Sequence, residues 1–291
     1  MTLPRSDTEI TYPDGAVTSS GTVVHVSAAA DGRSVVLLDR TAFHPVDLVW
    51  PDQPADRGVL RAGGAEYRVV DAVVGGVHDG VLLLGEDVPV RTGTDGWVFV
   101  VAHLLEGAAP EEGQQVDVEV DPAHRAGLSA GHTGCHLASL ALDLALTEAW
   151  RKPVQTDSLG SSAFDALAIQ QSRIIPNGSV DVYRVGKSLR KKGFDPSVLA
   201  DLPGLTARVD ATLADWVASD APVRIERADA GLSSRRTWVC ELPDATAEIP
   251  CGGTHVTSLG AFSRITVEFE ARDTDGAVEL TMRTRTSPSA H

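Results

Sequence analysis

The chain has 291 residues, 43% of them hydrophobic and 22% charged, with a net charge of −15. Length and composition fit a folded protein of about two domains, and the acidic balance argues against general nucleic-acid affinity. No apolar run approaches the roughly 18 residues of a membrane span, and MTLPRSDTEITYPDG has no signal-peptide core, so a cytoplasmic protein without a membrane anchor is expected.

Up to about residue 122, short apolar runs alternate with clusters of Gly, Asp and Pro. The runs are 21–26 (GTVVHV), 34–39 (SVVLLD), 66–74 (EYRVVDAVV), 80–85 (GVLLLG), 97–104 (WVFVVAHL) and 116–120 (VDVEV). No amphipathic helix intervenes, which predicts a small antiparallel barrel or sandwich. From Asp121 the character changes. Ser129 is the expected cap of a helix running to Trp150, with Pro153 barring its continuation. A second helix is expected over Leu205 to Ala218, where Val209, Leu213, Trp216 and Val217 recur at helical spacing. RTWVCEL, ITVEFEAR and AVELTMRT then read as strands, the last two joined by the turn DTDG, so the second part is α+β.

Four side chains stand out against this frame. His132 and His136 in GHTGCHLASLAL are four apart on the expected helix, about 40° from each other around its axis, so both imidazoles can reach one point. Cys251 and His255 in PCGGTHV flank two glycines on a turn. Together they form an N,N,S,N donor set of the kind Zn²⁺ prefers. An HxxxH pair alone also fits core histidines on the stripe continued by Leu140, Ala141 and Leu144, and it is the second pair that points to a metal. Thr133, Gly134 and Cys135 fill the gap where a zinc peptidase carries a general-base Glu, which disfavours peptide hydrolysis. Cys135 reads as a small buried residue beside the shared face. The three cysteines Cys135, Cys240 and Cys251 cannot all pair, and a reduced compartment suits a thiolate ligand.

Two further patterns carry chemistry. Gly127-Leu128-Ser129-Ala130-Gly131 matches GxSxG, but DPAHRA separates it from its strand and no oxyanion loop accompanies it, so helix capping is the plainer account. In RVGKSLRKKGF, Arg184, Lys187, Arg190, Lys191 and Lys192 crowd together without an acid. Such a segment is either a solvated face or, in so acidic a chain, a focused phosphate contact.

HTGCHLASLAL followed by PCGGTHV resembles the AlaX-type family of free-standing aminoacyl-tRNA editing proteins, related to the editing domains of alanyl- and threonyl-tRNA synthetases. LDRTAFHP at 38–45 and DQPADRG at 52–58 resemble the family's signature in the barrel ahead of the HxxxH helix. The resemblance implies an α+β fold, with a small antiparallel β-barrel domain over 1–122 and a metal-binding editing (deacylase) domain over 123–291. It implies Zn²⁺ held by His132, His136, Cys251 and His255, which form the catalytic centre, and hydrolysis of the ester of a mischarged aminoacyl-tRNA. Gln53, Thr133 and Thr254 are the expected polar contacts to substrate. Arg184, Lys187, Arg190, Lys191 and Lys192 are the expected contacts to the tRNA acceptor end, with neither DNA nor membrane as partner.

One departure bears on specificity. The family reads FYP and, within two residues, GGGQ, whereas FHPVDLVWPDQ keeps Gln53, replaces the glycines with Trp50, Pro51 and Asp52, and is longer. This implies a pocket reshaped from seryl- or glycyl-tRNA toward another acyl group, such as a threonine analogue like fluorothreonine. Three readings follow: a metal-dependent deacylase of mischarged tRNA-Ala or tRNA-Thr, a non-catalytic zinc-stabilised RNA-binding module, and a serine esterase using Ser129.

Overall fold

The computed structural model describes residues 3–29, 31–48 and 51–289. The first strands are β1 (Glu9–Ile10), β2 (Thr18–Ala28), β3 (Ser34–Leu38), β4 (Arg40–Thr41), β5 (Gly58–Ala62), β6 (Ala65–His78), β7 (Val81–Leu84), β8 (Val98–Leu105) and β9 (Gln115–Val120). Each apolar run expected to be a strand is one. The short β5, GVLRA, is an addition whose pattern is too brief to stand out. Seven of these strands form a sheet in the order β5-β9-β2-β3-β8-β6-β7, and β5 pairs with β6 as well as with β9.

Side-chain alternation sets the register. Along β9, Val116, Val118 and Val120 are buried while Gln115, Asp117 and Glu119 are exposed. The central strands β3 and β8 are covered on both faces. Val36, Leu38, Phe99 and Val101 join the main core with Leu60, Val69 and Val118, and Val35, Leu37, Val100 and Ala102 form a second cluster. That explains their unbroken apolar runs, since a strand buried on both sides shows no alternation.

The chain then enters α1 (Pro122–Ala145), followed by α2 (Phe164–Ala168), β10 (Ile169–Ile175), β11 (Gly178–Val185), α3 (Lys187–Lys191), α4 (Leu202–Ala218), β12 (Val223–Arg227), β13 (Arg236–Glu241), β14 (Thr246–Pro250), β15 (Phe262–Thr274) and β16 (Ala277–Pro288). The second large sheet is antiparallel, in the order β10-β11-β16-β15, and β12, β13 and β14 pair in that order. The architecture is sheet-rich α+β. Two compact units are distinguishable: Met1–Ala126 with Ile225–Thr237 and Pro250–Thr254, and Gly127–Arg224 with Trp238–Ile249 and His255–His291.

The start of α1 corrects the expectation. Asp121, not Ser129, caps the helix, its Oδ1 accepting from the N–H groups of Ala123 and His124, both at 3.0 Å. Pro122 supplies a pre-set first helical residue. Ser129 therefore lies in the second turn, buried, its carbonyl accepting from Thr133 Oγ1 at 2.9 Å. The helix also ends earlier than expected, at Ala145, before a 3-10 turn over Thr147–Ala149. In the first turn Arg125 is buried against Asp56, with Nε–Oδ1 at 2.9 Å and a further bond from Nη2 to Ala42 O at 2.7 Å. Asp56 Oδ2 in turn accepts from His44 N at 2.6 Å.

Three glycines let α1 lie close on the second sheet. A Cβ at Gly131 would stand 2.4 Å from Ile175 O and 2.5 Å from Gly178 O, one at Gly134 would meet Thr286, and one at Gly127 would meet Pro176. Leu128, Cys135 and Ile174 fill the same contact. The second expected helix is α4, capped by Asp201, whose Oδ1 accepts from Gly204 N at 2.9 Å. It buries Leu205, Val209 and Leu213, and its Asp210 accepts from Val267 N on β15 at 2.8 Å. The hairpin of β15 and β16 turns at Asp275 and Gly276, with φ of 48° and 76°, the backbone that Asp-Gly favours.

Candidate metal centre

α1 turns its glycine face to the sheet and so presents His132 and His136 on the side away from that contact, at i and i+4. Their rings lie 4.7 Å apart, and the His255 ring lies 4.4 Å from His132 and 5.0 Å from His136. One ligand atom from each of His132, His136, Cys251 and His255 lies within 4.8 Å of the other three. The two sequence-distant pairs therefore meet.

The donors fit a metal ion on three counts. His136 Nε2 is buried with no hydrogen-bond partner among the described residues. His103 shows what a core histidine looks like here: its Nδ1 reaches Val36 O at 3.0 Å and its Nε2 reaches Thr41 Oγ1 at 2.8 Å. A buried nitrogen left without a partner costs free energy unless something supplies one. Burial also lowers the His136 pKa to about 4, so the imidazole is neutral and carries a lone pair. The set of three nitrogens and one sulfur is the chemistry of zinc sites.

The turn carrying Cys251 and His255 is shaped by small residues. Gly252 packs against the Arg236 guanidinium, where a Cβ would be 3.2 Å from Nη2, and Gly253 N donates to Cys251 Sγ at 3.4 Å. Cys251 is only partly covered as a residue, yet burial of its thiol dominates and pushes the pKa up to about 12, offset in part by the Gly253 N–H. Metal binding at this sulfur must therefore expel a proton. Cys135 is not a member of the cluster. Its Sγ donates to Asp181 Oδ1 at 3.5 Å, and burial and Asp181 raise its pKa well above the ordinary thiol value. That agrees with its reading as a buried structural residue.

Gln53 and Thr254 bond to each other: Gln53 Nε2 donates to Thr254 Oγ1 at 2.9 Å, and Thr254 N donates to Gln53 Oε1 at 3.0 Å. Both are buried. Thr133 is fully buried and reaches His255 Nδ1 at 3.2 Å. Of the residues that replace the family's glycines, Pro51 is exposed, Asp52 Oδ1 accepts from Gln53 N at 2.8 Å, and Trp50 lies outside the described residues. Arg184 is the penultimate residue of β11, Lys187, Arg190 and Lys191 lie on α3, Lys192 follows it, and all five are exposed.

Ser129 sits within a helix, not on the strand-to-helix turn a serine nucleophile requires, which removes the structural basis of the esterase reading. Sequence reasoning missed Trp238, fully buried, whose ring lies 5.0 Å from His136 and 5.9 Å from His255. Nothing in the run RTWVCEL marks it, because an aromatic residue in a strand is ordinary core. Among the described residues no helix is long and apolar enough to cross a membrane.

Fold and site together define a sheet-rich α+β protein with a His/Cys cluster able to hold a metal ion. No family model matches the chain. It is 31% identical over 290 residues to an alanine–tRNA ligase of Pyrobaculum neutrophilum, an alignment covering 97% of this chain and 27% of the ligase. The ligase of Pyrobaculum aerophilum is 28% identical over 286 residues, with the same coverage. The alanyl-tRNA editing protein AlaX-L of Pyrococcus horikoshii is 26% identical over 226 residues, 78% of this chain and 45% of that protein. The chain thus spans about a quarter of the ligases and less than half of AlaX-L. It is a homologue of the AlaX-type editing proteins and of a segment of the alanine–tRNA ligases.

Proposed function

We propose that the chain is a zinc-dependent deacylase that hydrolyses the ester of mischarged aminoacyl-tRNA in trans, serving translation fidelity in the cytoplasm. The observation that carries this reading is the convergence of His132, His136, Cys251 and His255, with ligand atoms within 4.8 Å of one another. The activity for which one homologue is named, alanyl-tRNA editing, supports it.

An aminoacyl ester is already activated, so its hydrolysis needs a positioned water and stabilisation of an oxyanion. Bound Zn²⁺ would supply Lewis-acid polarisation to both. His132, His136, Cys251 and His255 would hold it. Four protein donors normally close a structural site, so turnover would need either one of them to yield or the ion to accept a fifth ligand, and Cys251 and His255, on a turn, are better placed to yield than the helical pair. Trp238 walls His136 and His255 with an apolar surface, excluding water and strengthening local electrostatics.

Gln53, Thr133 and Thr254 are the candidates for polar contact with the acyl group or for holding the site that receives it. The exposed Arg184, Lys187, Arg190, Lys191 and Lys192 would meet acceptor-end phosphates, a largely sequence-independent contact weakened by salt. The seven-stranded sheet reads as a small antiparallel barrel, because β5 pairs with both β6 and β9. We divide the chain into a barrel domain over 1–122 and an editing domain over 123–291. The exchange of flexible glycines for Pro51 and Asp52 favours a threonine analogue over serine or glycine as the edited group.

Deacylation assays with tRNA-Ala and tRNA-Thr carrying serine, glycine, alanine, threonine or fluorothreonine test this reading. Rapid hydrolysis of a mischarged species, with cognate aminoacyl-tRNA spared, is the expected result. A zinc-loaded protein that accelerates none of them overturns it.

A further inference from the structure

The hydroxyl of Thr133 has one proton to give and two lone pairs to offer. Three neighbours use them. Its proton goes to Ser129 O at 2.9 Å, and Val256 N donates to Oγ1 at 3.2 Å. The third neighbour is His255 Nδ1, also at 3.2 Å. With the proton committed to the helix carbonyl, only a lone pair faces the imidazole, so Nδ1 must carry the hydrogen. The lone pair of His255 then resides on Nε2, the nitrogen left to act as donor.

We propose that Thr133 is a positioning residue that fixes the Nδ1–H tautomer of His255 and presents its Nε2 to the metal, while its bond from Val256 N ties the end of the CGGTH turn to α1. The inference rests on the metal reading above and assigns Thr133 a task other than contact with substrate. The opposite arrangement, with Thr133 donating to Nδ1, would put the hydrogen on Nε2 and leave His255 unable to ligate. It would also leave Ser129 O without the shorter of the two contacts. Full burial of Thr133 keeps water from substituting for the hydroxyl.

Long-range ¹H–¹⁵N NMR of the metal-free full chain, with His255 identified through a His255→Gln sample, reads the tautomer directly. The Nδ1–H pattern is expected in the wild type and in Thr133→Ser, and a mixture of tautomers in Thr133→Val. Competition with a chromophoric chelator then measures zinc affinity. Thr133→Val is expected to bind about 10- to 100-fold more weakly, as is typical when an outer partner of a ligand is lost, with Thr133→Ser restoring most of it. An Nε2–H pattern in the wild type overturns the proposal, as does zinc affinity in folded Thr133→Val within threefold of wild type. Neither readout involves deacylation, so a protein that binds zinc in this way without hydrolysing aminoacyl-tRNA would refute the proposed activity and leave this inference standing.

Discussion

His136 and His103 are both buried imidazoles, and what separates a ligand from a core residue is the second nitrogen. Both nitrogens of His103 have partners, while His136 Nε2 has none among the described residues. No spacing rule reveals that difference. It was legible only because Cys251 and His255 supplied a matching pair elsewhere in the chain. The roles of Gln53 and Thr254 were less legible, because mutual hydrogen bonding between residues so distant in sequence leaves no local pattern. Asp143 was not legible at all. It sits in the apolar run LALDLA and is buried, its Oδ1 accepting from Asp165 N at 2.7 Å. Burial raises its pKa from 3.8 to about 9, and burial likewise raises Asp165 to about 6. Folding therefore favours the protonated acids. Their stabilising contribution is complete below about pH 4 and is lost as pH rises through 6 and then 9. Thermal melts between pH 5 and 9 should show the wild type losing stability with rising pH and Asp143→Asn losing less. Identical slopes would show that Asp143 does not carry the effect.

At the level of elements, strands announced themselves wherever apolar residues ran together or alternated, and the Asp275-Gly276 hairpin wherever backbone demand and residue type agreed. The misses have physical causes. β10, IQQSRII, shows neither clean alternation nor a full apolar run, and its partner β11 is reached through Pro176 and Asn177, the latter at φ 60°. α1 was found but started late, because Asp121-Pro122 directly after β9 outcompetes Ser129 as a cap. Gly127 and Gly131 on its buried face match a GxSxG motif, but they mark close approach to the β10–β11 hairpin, and Gly134 beside them faces Thr286 on β16. Propensity and packing make opposite forecasts here. Alanine is favoured over glycine in a helix by about 0.5–1 kcal/mol, yet a Cβ at Gly131 would collide with two backbone carbonyl oxygens that cannot rotate away. Gly131→Ala should therefore destabilise the protein, by about 1–3 kcal/mol or more as for other overpacked sites, measured by denaturant unfolding. A more stable variant would mean that α1 does not lie against this sheet as described.

For the molecule as a whole, composition excluded much and located little. A net charge of −15 left the segment from Arg184 to Lys192 as a conspicuous concentration of cations, and it is exposed. Homology extends over nearly the whole chain while covering 27% of the ligases, so the matching stretch is a segment of those enzymes. In the proposed reading one metal ion is needed for turnover more than for the fold, whose two larger sheets are built from strand pairings and apolar clusters that do not include the four candidate ligands. Removing the metal with a chelator, following hydrolysis of mischarged tRNA and far-ultraviolet circular dichroism together, and then restoring zinc tests this most directly. The predicted result is loss of turnover with the secondary structure retained, and recovery on adding one equivalent of Zn²⁺. Full activity in metal-free protein, or collapse of the fold on chelation, would contradict it.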